Sequence, residues 1–229
     1  MVLLNGKPTL APVTRSVIEA LAPAPVKVST DLEMPQGSGF GASGAGALGA
    51  SYAINSLFNL GFTSDRLGEV AHVAEVMNGT GLGDVIAQNT GGLLIRLEPG
   101  APGIGRVDRI LVPPTEVDCV VRGPISTKEV LSDPGLVRQI ACAGEEALDE
   151  IVRRPTFERF MELSRRFSID SGLAQGWILD AIEAVEALGG LASMIMLGDA
   201  VFAVGGREAL SEFGPVITTR MTERGASLD

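Results

Sequence analysis

The chain has 229 residues and a mass of 23.8 kDa, and 45% of it is apolar, enough for one large domain or two small ones and too much for intrinsic disorder. Its 18 basic and 28 acidic residues leave a net charge of −10, a field that repels phosphate backbones and anionic lipid and so excludes nucleic-acid binding through a basic face. Cys119 and Cys142 make neither a disulfide framework nor a zinc spacing, which fits a reducing cytoplasm, and a single histidine, His72, excludes a multi-histidine metal centre.

Residues 2–4 and 26–32 read as strands, the second from the alternation of Val26, Val28, Thr30 and Leu32 with Lys27, Ser29 and Asp31; a short helix over 14–22 falls between them. No secretory-signal pattern opens the chain. The run from Met34 to Ser64 carries no charge and is long enough to cross a bilayer. Pro35, Gln36, Asn55, Asn59 and a dense set of glycines and serines instead predict a loop and a buried helix over 43–60, with no membrane partner. Ser64 and Asp65 offer a cap for a helix ending near Met77, with Leu67, Val70, Ala71 and Ala74 as its buried stripe. A helical turn over 84–89 and strands over 93–97, 107–112 and 117–121 come next.

Composition changes after about Gly123. Asp133 and Pro134 open a helix whose apolar stripe is Leu136, Val137, Ile140, Ala141, Leu148, Ile151 and Val152. Helices over 156–167 and 174–188, strands over 193–197 and 201–204, a helix from Arg207 and a strand over 216–221 complete an α+β second half. Trp177, with Ile178, Ala181 and Ile182, marks a buried helix face, and Met194 and Met196 read as core.

Glycine is the compositional outlier, 29 residues against the usual ~7% of a chain, and six of them fall between Gly37 and Gly49. That stretch lies between a strand and a helix, so its amides can face an anion at the helix N-terminus, and phosphate is the natural guest. A Walker loop needs a lysine at its end, and Lys7, Lys27 and Lys128 all lie elsewhere. Gly39, Gly41 and Gly44 satisfy the dinucleotide fingerprint formally, but Asp65, the acidic residue at the right distance, opens a helix where that fold needs a strand end.

The segment from Met34 to Ala45 also resembles the second motif of the GHMP kinases, apolar-Pro-x-Gly-x-Gly-Leu-Gly-Ser-Ser-Ala, with Phe40 for Leu, Ala42 for the first Ser and Gly44 for the Ala that follows the second. The block Ala71-His72-Val73-Ala74-Glu75 with Gly79-Thr80-Gly81-Leu82-Gly83-Asp84 strengthens the likeness, as do Pro102-Gly103-Ile104-Gly105, Ile125 to Leu131 and Ala192 to Gly198. Together these blocks are similar to the pantoate kinases of archaea, one family of that superfamily. The resemblance spans essentially the whole chain. It implies an α+β fold in two parts: a ribosomal-S5-like amino-terminal domain over 1–104 and a ferredoxin-like carboxy-terminal domain over 105–229, with the site between them. Members begin with several tens of further residues, and nothing similar precedes Met1, so the first domain is expected to be incomplete.

The resemblance also implies roles. ATP is expected on Pro35, Gly37, Ser38, Gly39, Gly41, Ala42, Ser43, Gly44 and Ala45, and Mg²⁺ on Ser43 and Glu75. Asp84 is expected as the catalytic aspartate, either accepting the hydroxyl proton or aligning the hydroxyl while the γ-phosphate takes it. His72, one turn before Glu75, is expected to serve a local hydrogen bond rather than catalysis. Ser126, Thr127, Lys128 and Gly198 are candidates for the acceptor subsite. The implied activity is phosphorylation of the 4-hydroxyl of pantoate on the way to coenzyme A, by a cytoplasmic enzyme and a homodimer. Two other readings stand beside it: a related kinase for homoserine or a mevalonate-type alcohol, and a non-catalytic nucleotide-binding module.

Overall fold

The computed structural model describes residues 1–81, 83–125, 130 and 132–228, which fall into two units. The first comprises residues 1–35, 41–108 and 223–229, and the second comprises 36–40 and 109–222. The glycine-rich loop is therefore divided, its first part belonging to one unit and its second part to the other.

In the first unit, β1 (Val2–Leu4) pairs antiparallel with β2 (Lys7–Pro8) and parallel with β3 (Val28–Thr30), the helix α1 (Pro12–Leu21) making the crossover. β3 is shorter than the alternation predicts. Three helices follow: α2 (Ala42–Phe58), α3 (Ser64–Asn78) and α4 (Asp84–Thr90). α2 is small and apolar on most sides, so α1 and α3 both pack on it through Val13, Val17, Ala47, Leu48, Ala50, Ile54, Ala71 and Ala74. Leu48 and Val17 are fully buried, each worth about 1.5–3 kcal/mol. The cap of α3 lies one residue before the predicted one, because the Thr63 hydroxyl accepts from the Arg66 N–H (3.3 Å) and Ser64 is already helical. It ends at Gly79 in the left-handed conformation. β4 (Leu93–Glu98) and β5 (Arg106–Ile110) form a two-stranded ribbon. The tail returns to this unit, where the Ala226 N–H donates to the Gln88 carbonyl (2.8 Å) and fixes the end of α4.

The second unit holds β6 (Glu116–Pro124), α5 (Pro134–Arg153), α6 (Phe157–Asp170), α7 (Trp177–Ala187), β7 (Leu191–Met194), β8 (Gly198–Val204), α8 (Arg207–Ser211) and β9 (Val216–Arg220). Its sheet runs β7-β8-β6-β9 with every pairing antiparallel, the strand order of a ferredoxin-like split βαβ arrangement. Ile178, Ala181, Ile182 and Val185 of α7 close over Val120, Met194, Val201 and Ala203 of the sheet. Met194 is core, as expected. Met196 is not: it lies in the turn between β7 and β8, 44% exposed. Among the described residues no helix is long and apolar enough to cross a membrane.

Candidate active site

Gly41 stands at the amino end of α2 with φ +63°, and a Cβ there would lie 2.7 Å from Gln88 Nε2 and 2.8 Å from Asp84 Cβ. Only glycine meets both conditions. Gln88 Nε2 donates to the Gly41 carbonyl (3.0 Å), so the close of the loop is pinned over the first turn of α4. The cap of α2 is Gly41 without a side-chain hydrogen bond, so Ser43 is not the cap. It sits in the first turn, exposed, with Ala42 and Ala45 as its helical neighbours.

Glu75 reaches this turn from α3. A helix carboxylate kept for solvation faces water, whereas Glu75 is 1% exposed. Thr80, just past the glycine that ends α3, donates its hydroxyl to Glu75 Oε1 (2.9 Å). Among the described residues Oε2 is buried with no hydrogen-bond partner, enclosed by Gly81 and Gly44. Burial pushes the Glu75 carboxyl above the usual carboxylate range, the Ser43 and Thr80 hydroxyls pull it part of the way back, and the Asp84 charge raises it further. A buried oxygen left without a partner at this cost is what a cation ligand requires. With the Ser43 hydroxyl it forms a hard oxygen set that fits Mg²⁺, which takes one or two carboxylates and completes its shell with phosphate oxygens and water. Among the described residues no group of three or more His, Cys, Asp or Glu forms a metal cage.

Asp84 is the first residue of α4 and follows Gly83. One side of it is open to solvent, while the loop residues on the other displace enough water to raise its carboxyl. The Arg96 guanidinium and the Asp84 N–H oppose that shift. Arg96 comes from β4 and packs so near Gly83 that a Cβ at residue 83 would lie 2.6 Å from its Nη1. Its Nη2 donates to the Gly100 carbonyl (3.3 Å). His72 is half-buried, and burial first and Arg96 second push its pKa down. Arg96 belongs to no motif; the signal for it is one cation inside the apolar strand Leu93-Leu94-Ile95-Arg96-Leu97.

The loop's first part is held within the second unit. Ser38 is buried, the Ile125 N–H donates to the Gly37 carbonyl (3.3 Å), and a Cβ on Gly37 would lie 2.7 Å from Pro124 Cβ. Gly198 opens β8 against the backbone of Ser38 and Gly39, so closely that a Cβ would overlap the Ser38 carbonyl. Pro35 closes the preceding stretch of the first unit. Ser43, Glu75 and Asp84 thus come together within one unit, with Thr80, Gln88 and Arg96 added to them. Ser126, Thr127 and Lys128 lie outside the described residues.

The family model described as GHMP kinases N terminal domain matches residues 10–92. A pantoate kinase of Thermococcus kodakarensis is 40% identical over 211 residues, 89% of this chain and 69% of that protein. The pantoate kinase of Methanocaldococcus jannaschii is 36% identical over 79% of this chain and 65% of its own length, and that of Methanospirillum hungatei 33% over 88% and 68%. The chain therefore spans about two thirds of these relatives. A solved structure titled as a phosphotransferase related to the CoA biosynthesis pathway superposes with a TM-score of 0.87 at 34% identity, over 98% of this chain and 79% of that one. A homoserine kinase from Cytophaga hutchinsonii superposes with a TM-score of 0.64 at 18% identity, a likeness of fold alone.

Proposed function

This chain belongs to the pantoate kinase family of the GHMP kinases, and on that premise we propose that it transfers the γ-phosphoryl group of ATP to the 4-hydroxyl of pantoate, giving 4-phosphopantoate and ADP for coenzyme A synthesis in the cytoplasm. The observation that carries this reading is the buried Oε2 of Glu75, without a hydrogen-bond partner among the described residues, beside Ser43 and one loop away from Asp84.

Phosphoryl transfer asks for the triphosphate to be held in line with the acceptor, for charge to be offset and for the hydroxyl proton to be received. The loop from Gly37 to Ala45 offers its amides, and the amino end of α2 its dipole, to the phosphates. Ser43 and Glu75 would hold Mg²⁺, which when bound neutralises charge on the phosphate oxygens. Asp84 takes the proton of the 4-hydroxyl as that oxygen bonds to the γ-phosphorus, and the breaking P–O bond leaves its electron pair on ADP. Arg96 favours the ionised form of Asp84, as this role requires. Its positive charge at the same place suits an acceptor that carries a carboxylate, and pantoate does.

The test is an acceptor panel: the chain with ATP and Mg²⁺ against pantoate, homoserine and mevalonate, with products read by ³¹P NMR. Phosphorylation of pantoate alone is expected. Turnover of homoserine or mevalonate in preference would move the acceptor assignment, and ATP binding without turnover on any acceptor would make the chain a nucleotide-binding module.

A further inference from the structure

We propose that Trp177, Asp199 and Arg122 form a positioning device for the first part of the glycine loop, and that the indole of Trp177 reports what the loop binds. The proposal rests on reading residues 36–40 as part of the nucleotide site.

The geometry begins with a β-bulge. β6 pairs with β8 through Val121↔Ala200, then Gly123↔Asp199 and Pro124↔Gly198, so that Arg122 is left out of the ladder. A bulge re-aims the side chain it frees. Here the Arg122 guanidinium lies over the Trp177 ring, 4.3 Å from its centroid, while its Nε and Nη2 both donate to the Phe213 carbonyl (3.0 and 2.9 Å). From the facing strand, Asp199 Oδ1 accepts the indole N–H (2.6 Å). The ring is thus tied to two strands at once, through Asp199 on one and, on the other, through the bulged Arg122 that precedes Asp199's partner Gly123.

The next positions along those strands touch the loop. Pro124 packs on Gly37, Ile125 donates to the Gly37 carbonyl, and Gly198 abuts Ser38 and Gly39. No slack exists at this contact: a single added carbon on Gly198 would overlap Ser38, and one on Gly39 would lie 2.7 Å from both Ile195 Cγ2 and the Met196 carbonyl. Interiors packed this closely pass displacement on rather than absorb it. A shift of Asp199 or Arg122 therefore moves Gly198 or Pro124, and with it the amides of Gly37 to Gly39.

The core does not itself require these polar links. The buried stripe of α7 is Ile178, Ala181, Ile182 and Val185, whereas Trp177 stands at the helix start, only half-buried. A phenylalanine would fill its apolar contacts. What it would lose is the N–H that holds Asp199, so Asp199 and Trp177 are positioning residues and not catalytic ones.

Trp177 is the chain's one tryptophan, so its emission needs no assignment. The experiment titrates Mg²⁺-ATP into the native chain and into Asp199→Ala and Asp199→Asn, reading indole fluorescence and, by calorimetry, Kd. Native emission is expected to change with ATP. Asp199→Ala is expected to weaken ATP binding by about 2- to 30-fold. Its KM for ATP should rise with kcat little changed, and Asp199→Asn, whose amide oxygen still accepts the indole N–H, should restore both. Should Asp199→Ala fail to fold by circular dichroism, Trp177→Phe read by calorimetry carries the same expectation. Native affinity in both Asp199→Ala and Trp177→Phe, beside a native chain that binds ATP, overturns the device alone. A native chain that binds no ATP overturns the reading of the loop on which the device rests.

Discussion

Glu75 Oε2 occupies the space that a Cβ on Gly81 would need. The backbone of Gly81 is outside the left-handed region, so alanine meets no conformational strain there and its whole effect is steric. Gly81→Ala is expected to push the carboxylate off its place beside Ser43. The fold should lose about 1–3 kcal/mol, as overpacking does. Binding of Mg²⁺-ATP should fall more than that of ATP alone. Thermal melting and calorimetry with and without Mg²⁺ check this; equal losses for the two ligands would contradict it.

A buried carboxylate oxygen without a partner weakens the fold that contains it. Burial raises the Glu75 pKa in the folded chain, so its contribution is fully present below the unfolded-state value and is lost as pH rises through the folded value. At neutral pH without Mg²⁺, Glu75→Gln should therefore be more stable than the native chain by about 1–2 kcal/mol, a Tm rise of roughly 2–8 °C. The difference should shrink as pH falls through the raised folded-state value and be gone once pH reaches the usual carboxylate range. Added Mg²⁺-ATP should raise the native Tm more than the variant's. A variant that melts lower at neutral pH would show that Oε2 already has a partner.

Arg96 opposes the upward shift that burial gives Asp84. Proton transfer to Asp84 needs it ionised, so kcat falls on the acid side as pH drops through its pKa. Arg96→Gln removes the opposing charge, the pKa rises further, and the acid limb of the kcat profile moves to higher pH. Arg96→Lys keeps the charge without the planar fork and should move the limb less. A limb that stays in place in Arg96→Gln would mean that Asp84 does not govern it.

Much of this site is legible in the residues, and the parts that are not have physical reasons. The glycine loop, Glu75 and Asp84 stand in local motifs, and glycine spacing records where backbone must turn or approach closely. α2 was readable as enclosed because its small residues leave no polar face. Thr63, Ser64 and Asp65 are all competent caps, and only the backbone geometry selects Thr63. Arg96 is set beside Asp84 by the packing of β4 near the start of α4, a tertiary relation that no spacing encodes. Met196 looks like Met194 in an apolar run, but the turn between β7 and β8 puts it outside. Trp177 reads as plain core until the bulge at Arg122 and the register at Asp199 show that its ring has polar partners.

The division of labour between Glu75 and Asp84 is tested most directly by titrating Mg²⁺ against the rate of pantoate phosphorylation in the native chain, Glu75→Gln and Asp84→Asn. Glu75→Gln is expected to need more Mg²⁺ to reach half its maximal rate. Asp84→Asn should keep the native Mg²⁺ requirement and ATP affinity while its maximal rate falls by about 10²- to 10⁴-fold. A native Mg²⁺ requirement in Glu75→Gln, or near-native turnover in Asp84→Asn, would contradict the assignment.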